Sequence, residues 1–282
     1  MHMNTISPSQ EQRQTWNSLA QAWERWGDAF ERGASHVSRT LIGSAALQPG
    51  DHVLDVATGL GEPALSMAAQ VGLNGHVTGI DISEEMIAVA RRRQGSVANV
   101  SFAAADAELF VPDSRYQVVT SRFGLMFLPN RQACLLRLRE AMAPGARLVF
   151  STWSTPDQVP MISLAVGFFA RRLDLPPPPP GKPNPFCMAD EQSVHAELEA
   201  AGFSQIRCER VVAPFMFETV DEFVRFSRDL IPPGIGAAIA ERASPERLAA
   251  LWIEFAEAAG RFVRADGTVL LPSQALCFSA RR

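Results

Sequence analysis

Residues 52–65 read HVLDVATGLGEPAL. An apolar run that suits a buried strand, HVLDVA, enters a glycine turn. A helix follows, with Pro63 in its first turn, where proline lacks only an amide that would be unpaired anyway. Gly59, Gly61 and Ala64 give the spacing GxGxxA, and Asp81 stands about twenty residues on at the end of a predicted strand. Glycine suits the turn because a side chain there would keep the backbone from a ligand, while the helix start offers oriented N–H groups. Taken alone, this spacing serves a nicotinamide dinucleotide as well as it serves a plain strand-to-helix corner.

The neighbouring acids separate these readings. Asp55 lies near the end of the first strand, four residues before Gly59, where a carboxylate would repel a pyrophosphate. A ligand carrying a cationic amine and a sulfonium would be attracted to it, directly or through water. Asp106, in AADAELF, ends the third predicted strand and can accept a hydrogen bond from an adenine amine. Asp55, Asp81 and Asp106 thus fall at the ends of three successive strands, and in a parallel sheet those ends form one crevice.

Outward from the turn, strands and helices alternate. HVTGID reads as strand, SEEMIAVARRR as helix, VSFAAAD and YQVVTSR as strands, NRQACLLRLREAMAP as helix and ARLVFSTW as strand. That rhythm means a largely parallel sheet covered by helices on both faces. Ser83 suits an N-cap, Glu84 and Glu85 the first turn, and Arg91, Arg92 and Arg93 the last. Upstream, Trp16, Leu19, Ala20, Trp23, Trp26 and Phe30 recur at helical steps between Glu11 and Thr40, which predicts an amphipathic helix.

VLDVATGLGEPAL, VTGIDISEEMIAVAR, FAAADAELF and VVTSRFGLMFLPNRQACLLRLREAMAPGARLVFSTW together resemble the successive motifs of class I S-adenosylmethionine-dependent methyltransferases. The branch they most resemble holds ubiquinone/menaquinone-type and small-molecule natural-product enzymes. The resemblance covers about Asp51 to Trp153. It implies an α/β, Rossmann-like, seven-stranded, mostly parallel sheet whose last strand runs antiparallel, a role that Thr268–Arg282 can fill. It also implies a helical cap over residues 1–46 and a methyltransferase domain over 47–282, with a lid insertion after the fifth strand at about 155–190.

The same resemblance implies that S-adenosylmethionine is held by Asp55, Ala57, Gly59 and Gly61 at its methionine end. Asp81 would take the ribose hydroxyls, with Ile82 against the adenine, and Asp106 and Ala107 would hold the adenine edge. Ser121 and Arg122 would close the pocket near the sulfonium. Ala57 departs from the glycine common in the family, but it is small enough to be compatible.

Composition limits the partners. The net charge of -4 lacks the basic excess of a nucleic-acid binder, and the longest apolar run, MISLAVGFFA, is about half of a bilayer span. The polar N-terminus offers no apolar segment for a secretory signal. Cys134, Cys187, Cys208 and Cys277 are scattered, which suggests neither a metal site nor a disulfide framework and suits a reducing cytoplasm. LPPPPPGKPNPF predicts an extended connector inside the lid.

The expected partner is a small molecule, and a homodimer is compatible with the chain. Phe123, Met126, Phe127, the segment Leu164 to Phe169 and Pro214 to Phe217 offer an apolar lining, most of it core, which points to a hydrophobic or aromatic acceptor with an O, N or C nucleophile. Methyl transfer is an in-line displacement, so a base is needed only where the acceptor must lose a proton. His36, in the N-terminal helical segment, is the candidate for that role. A nicotinamide-dependent oxidoreductase and a non-methylating cofactor-binding protein of the same fold are the competing readings.

Overall fold

A computed structural model describes residues 6–282 apart from 113, 178 and 180. The first five residues and two members of the proline run, 178 and 180, therefore lie outside the described residues; the described prolines of that run form neither helix nor strand.

Five strands fall where the hydrophobic rhythm predicts, with helices between all but β3 and β4: β1 (His52–Val56), β2 (His76–Asp81), β3 (Val100–Ala104), β4 (Tyr116–Arg122) and β5 (Met142–Trp153). Two long strands, β6 (Ser204–Phe217) and β7 (Val269–Arg281), complete a seven-stranded sheet in the order β3-β2-β1-β4-β5-β7-β6. β7 runs antiparallel to both β5 and β6, and the pairings from β3 across to β5 are parallel. This is the Rossmann-like sheet with an antiparallel last strand that the motif order implies.

The strand order reverses at β1, which has β2 on one side and β4 on the other. Chain leaving β1 and chain leaving β4 therefore diverge, and a crevice opens at their carboxyl ends. β1 can sit at this central position because Val53, Leu54 and Val56 are apolar and fully buried, as a strand covered on both faces requires. Asp55 is the exception in that row, also fully buried.

The helices near the crevice start as their capping residues dictate. α2 (Ala64–Val71) begins three residues later than Gly61, where the sequence pattern starts it, with Pro63 at its cap. α3 (Glu84–Gln94) has Ser83 as N-cap, its hydroxyl accepting from the Met86 amide at 3.1 Å, with acids in the first turn and three arginines in the last. α4 (Arg131–Ala141) is capped by Asn130.

The N-terminal amphipathic segment is a single helix, α1 (Pro8–Ala45), of 38 residues and about 57 Å, opened by a capping box between Ser7 and Gln10. Its C-terminal part lies on the sheet, where Ala34, Val37, Leu41 and Ala45 are fully buried. Gly33 permits this approach, since a Cβ there would stand 2.3 Å from the Phe215 ring. Its N-terminal part crosses to α3 through the Asn17–Ser83 hydrogen bond and ion pairs from Arg13, Glu24 and Asp28 to Glu84, Arg92 and Arg93.

After β5 the chain forms α5 (Pro160–Leu173) from the apolar run, then α6 (Glu191–Ala200) before β6. Three more helices, α7 (Val220–Asp229), α8 (Pro233–Arg242) and α9 (Pro245–Ala259), connect β6 to β7. Phe168 and Phe169 of α5, Phe223 of α7 and Phe255 of α9 interlock, with Phe168–Phe255 and Phe223–Phe255 centroids each 5.6 Å apart. The two insertions, after β5 and after β6, thus meet through aromatic packing. Among the described residues no helix is long and apolar enough to cross a membrane.

Candidate active site

The three acids gather at one edge of the sheet. Asp55 is the penultimate residue of β1, Asp81 the last of β2, and Asp106 lies two residues beyond β3. Register carries this through: Asp55 stands opposite Gly79 on β2 and Thr120 on β4, and Asp81 stands opposite Ala104 on β3.

The turn after β1 takes the backbone shape that its glycines allow. Ala57, Gly59 and Gly61 have φ of 54°, 54° and 100°, a left-handed run that glycine adopts readily and that a small alanine tolerates at some cost. A Cβ built on Gly59 would meet nothing within 4 Å, so the backbone there faces open space. Asp81 locks the turn. Its Oδ2 accepts from the Gly59 amide and its Oδ1 from the Ser83 amide, both at 2.9 Å. Each carboxylate oxygen retains a lone pair for a further donor.

Asp55 is different. Neither of its oxygens has a hydrogen-bond partner among the described residues, and the same holds for the hydroxyls of Thr58, Thr120 and Ser121 around the β1 and β4 ends. Buried polar groups are ordinarily paired, so such a group of orphans calls for a ligand or water. Burial pushes the Asp55 carboxyl up to about 7; the nearby Thr58 hydroxyl, which makes no hydrogen bond of normal geometry, and the Arg122 guanidinium oppose this, while Glu62 and Asp81 add to it. Burial also raises Asp81, against the amides of Ser83, Gly59 and Ile82.

At the far side of the crevice Asp106 Oδ1 accepts from the Glu108 amide at 2.9 Å, and half-buried Ile82 stands between the Asp81 and Ser83 positions. Ala107 is buried, and its carbonyl lies 3.6 Å from the Cys134 thiol, which burial drives up to about 12, leaving it unreactive as a thiolate. Ser121 lies under Gly124, where a Cβ would come within 2.6 Å of its Oγ and 2.5 Å of Ala57 Cβ. The segments after β1 and β4 therefore touch, and the turn residues and Ser121 share one wall.

Arg122 does not stand free toward the crevice. Its side chain, only 6% exposed, grips Glu31 of α1 through both terminal nitrogens, with Nη1–Oε2 at 2.6 Å, donates to Ser38 Oγ at 2.7 Å and lies over the Phe30 ring at 5.7 Å. Burial alone would push the guanidinium toward neutrality, but the Glu31 carboxylate outweighs it and holds Arg122 above its ordinary pKa. The expectation that Arg122 closes the pocket is thereby altered: it fastens α1 to the tip of β4.

His36 is the clear correction. It is exposed, and its Nδ1 lies 3.3 Å from the Val212 carbonyl on β6. Glu31 and Ser38 share the inward face of α1 because seven residues make nearly two full turns, whereas His36 sits well round the helix from both. It is not positioned as a base. Most of the expected apolar lining is core: Phe123 stacks on Trp153 at 3.9 Å, and Met126, Phe169 and Phe215 are fully or almost fully buried. Met216 is exposed on the outer strand, and Phe127 meets Trp16 edge-on at 4.9 Å.

Sequence reasoning missed Glu31, Ser38, Thr58 and Thr120. Glu31 did leave a trace, since it is a charge set beside Phe30 and Ala34 on the buried side of an amphipathic helix.

The described residues thus bring together a glycine turn after the first strand, acids at the ends of successive strands, and a buried carboxylate and hydroxyls without hydrogen-bond partners among them. Residues 47–170 match the family described as "Methyltransferase domain". Over these residues the chain is similar to methyltransferase domains. Among the similar proteins is the ubiquinone/menaquinone biosynthesis C-methyltransferase UbiE of Ectopseudomonas mendocina, 33% identical over 148 residues, covering 51% of this chain and 58% of the relative. The chain spans somewhat over half the length of the curated relatives it matches first.

Two solved structures share the fold. A putative methyltransferase from Bacillus halodurans has a TM-score of 0.55 at 20% identity, covering 86% of this chain and 97% of its own. Phosphoethanolamine N-methyltransferase 2 of Haemonchus contortus, in complex with S-adenosyl-L-methionine, has a TM-score of 0.59 at 16% identity, covering 99% of this chain and 60% of its own.

Proposed function

We propose that this protein moves the methyl group of S-adenosylmethionine to a nucleophilic atom of a small, mainly apolar or aromatic metabolite. The observation that carries this reading is the buried Asp55 carboxylate, with both oxygens unpartnered and three orphan hydroxyls about it, at the point where the strand order reverses. When bound, the cofactor supplies an electrophilic methyl on a cationic sulfur.

The chain's own residues divide the work. Asp81, anchored by two amides, would hold the ribose hydroxyls on its remaining lone pairs. Asp106 and the backbone at Ala107 would hold the adenine edge, with Ile82 against the ring. Asp55, Ala57, Gly59, Gly61 and Ser121 would surround the cationic end, where ionised Asp55 offsets the charge that burial exposes. Methyl transfer is an in-line displacement, so alignment and desolvation would supply much of the rate.

The acceptor is read from the rings beside Arg122. Phe30, Phe123, Trp153 and Phe215 form a continuous aromatic group next to Arg122, with neighbouring ring centroids 3.9 to 6.2 Å apart. Ring faces of this group beside the Arg122–Glu31 ion pair suit an aromatic or conjugated acceptor. The matched relatives are named as C-methyltransferases of ubiquinone and menaquinone biosynthesis, and this favours carbon as the accepting atom.

Isothermal titration of the wild-type chain with S-adenosylmethionine, followed by the same titration of Asp81→Ala, tests the cofactor assignment. Loss of two charge-assisted hydrogen bonds should weaken binding about 100-fold. Unchanged affinity in the variant would remove the assignment. Incubation with isotopically methyl-labelled cofactor and a metabolite extract, read by mass spectrometry, should then yield a labelled product of apolar or aromatic character; a strictly polar product such as a free amino acid would count against the acceptor reading.

A further inference from the structure

An arginine beside a sulfonium pocket poses an electrostatic problem. Arg122 is close enough to Asp55 and Glu62 for each carboxylate to act on its charge, yet its hydrogen bonds go to Glu31 and Ser38. An uncommitted guanidinium there would pair with Asp55, the acid otherwise left unpartnered. It would also repel a cationic ligand, because opposite and like charges act strongly where water is excluded. The ion pair is not explained by stability alone, since desolvating both partners commonly cancels their attraction.

We propose that Glu31 is a positioning residue that makes the site discriminate by ligand charge. By holding Arg122, it leaves Asp55 available to a sulfonium and tilts the crevice toward the cationic cofactor over the neutral thioether left after methyl transfer. This rests on the cofactor reading above. Glu31 touches no reacting atom; it acts through Arg122.

The geometry supports this division of labour. Glu31 stands between buried Phe30 and fully buried Ala34, where α1 begins its run of fully buried residues Ala34, Val37 and Leu41. The carboxylate is therefore delivered by the securely packed end of the helix. Glu31 and Ser38, two turns apart on one face, clasp the same guanidinium nitrogen Nη1 at 2.6 and 2.7 Å, which commits it to α1.

The test is a charge series titrated with S-adenosylmethionine and with S-adenosylhomocysteine, two ligands that differ by one methyl group and one charge. In Glu31→Gln the freed arginine should weaken S-adenosylmethionine about tenfold and S-adenosylhomocysteine less than about threefold. Arg122→Gln should move the affinity ratio the other way, toward the sulfonium. The double variant Glu31→Gln/Arg122→Gln should return the ratio to within about twofold of wild type, as coupled charges require.

Equal loss for both ligands in Glu31→Gln, or a double variant that keeps the shifted ratio, would overturn the proposal and leave Glu31 a structural tether. Should Glu31→Gln fail to fold, Arg122→Gln still decides through the direction of its ratio. A wild-type chain that binds neither ligand would sink the proposed function instead, so the two failures are distinct.

Discussion

The two halves of this molecule treat buried polarity in opposite ways. In the half made by β1 to β4, the side chains of Asp55, Thr58, Thr120 and Ser121 are buried without hydrogen-bond partners among the described residues. In the half made by β6, β7 and the lid, burial is dominated by rings that touch one another, and Ser227 is the one orphaned hydroxyl there among the described residues. The first half leaves polar groups unpaired where a ligand can pair them; the second satisfies itself. The lesson is that the binding half sacrifices stability locally, and the aromatic half supplies it without depending on a ligand.

If so, the two can be perturbed separately. The largest effect is expected from Phe255→Ala on α9, a fully buried ring near Phe168, Phe169, Phe223 and Trp252. It should cost about 3–5 kcal/mol in denaturant unfolding. S-adenosylmethionine affinity, measured where the variant is still folded, should stay within about threefold of wild type. A parallel collapse of affinity would show that the halves are one energetic unit and break the comparison.

A smaller effect sharpens it. The Asp55 carboxyl is raised from 3.8 to about 7, so its contribution to folding is fully present below the ordinary value and is lost as pH rises through about 7. Cation binding has the opposite demand, since it needs the ionised form. Binding of S-adenosylmethionine near pH 6 should therefore release close to one proton, falling toward none at pH 8, with affinity about tenfold higher at the upper pH. Titration calorimetry in two buffers of different ionisation enthalpy reads the proton directly. Asp55→Asn should abolish the release, and an unchanged release would assign it to another group.

The smallest expected effect is at His36. An exposed side chain whose one contact is a 3.3 Å approach to a carbonyl should tolerate alanine within about 0.5 kcal/mol. Turnover should be unaltered once an acceptor is known. A rate loss of tenfold or more would return the residue to the site and mean that α1 rotates during the reaction.

Much of the site was legible because local chemistry sets it. Gly59 and Gly61 mark left-handed turns that other residues resist, Ser83 marks a helix start, and strand-end acids in a parallel sheet have only one crevice to share. His36 was misread for a different reason. Periodicity predicts that a helix has a buried face, but a histidine on its margin turns inward or outward according to how the helix sits on the sheet, and Gly33 against Phe215 decides that seating. Thr120 was unreadable as well, because its alignment with Asp55 depends on strand register.

Sequence alone determined the alternation of strands and helices, the glycine turn and the presence of three carboxylates at strand ends, since each follows from propensities acting within a few residues. Tertiary structure decided which of those carboxylates lacks a partner and which cation is held away from it. It joined Glu31 to Arg122 across 91 residues and brought rings of α5, α7 and α9 into one cluster. The reason is physical: pKa, desolvation and ion pairing depend on what surrounds a group in space, and that surrounding exists only once distant segments have packed.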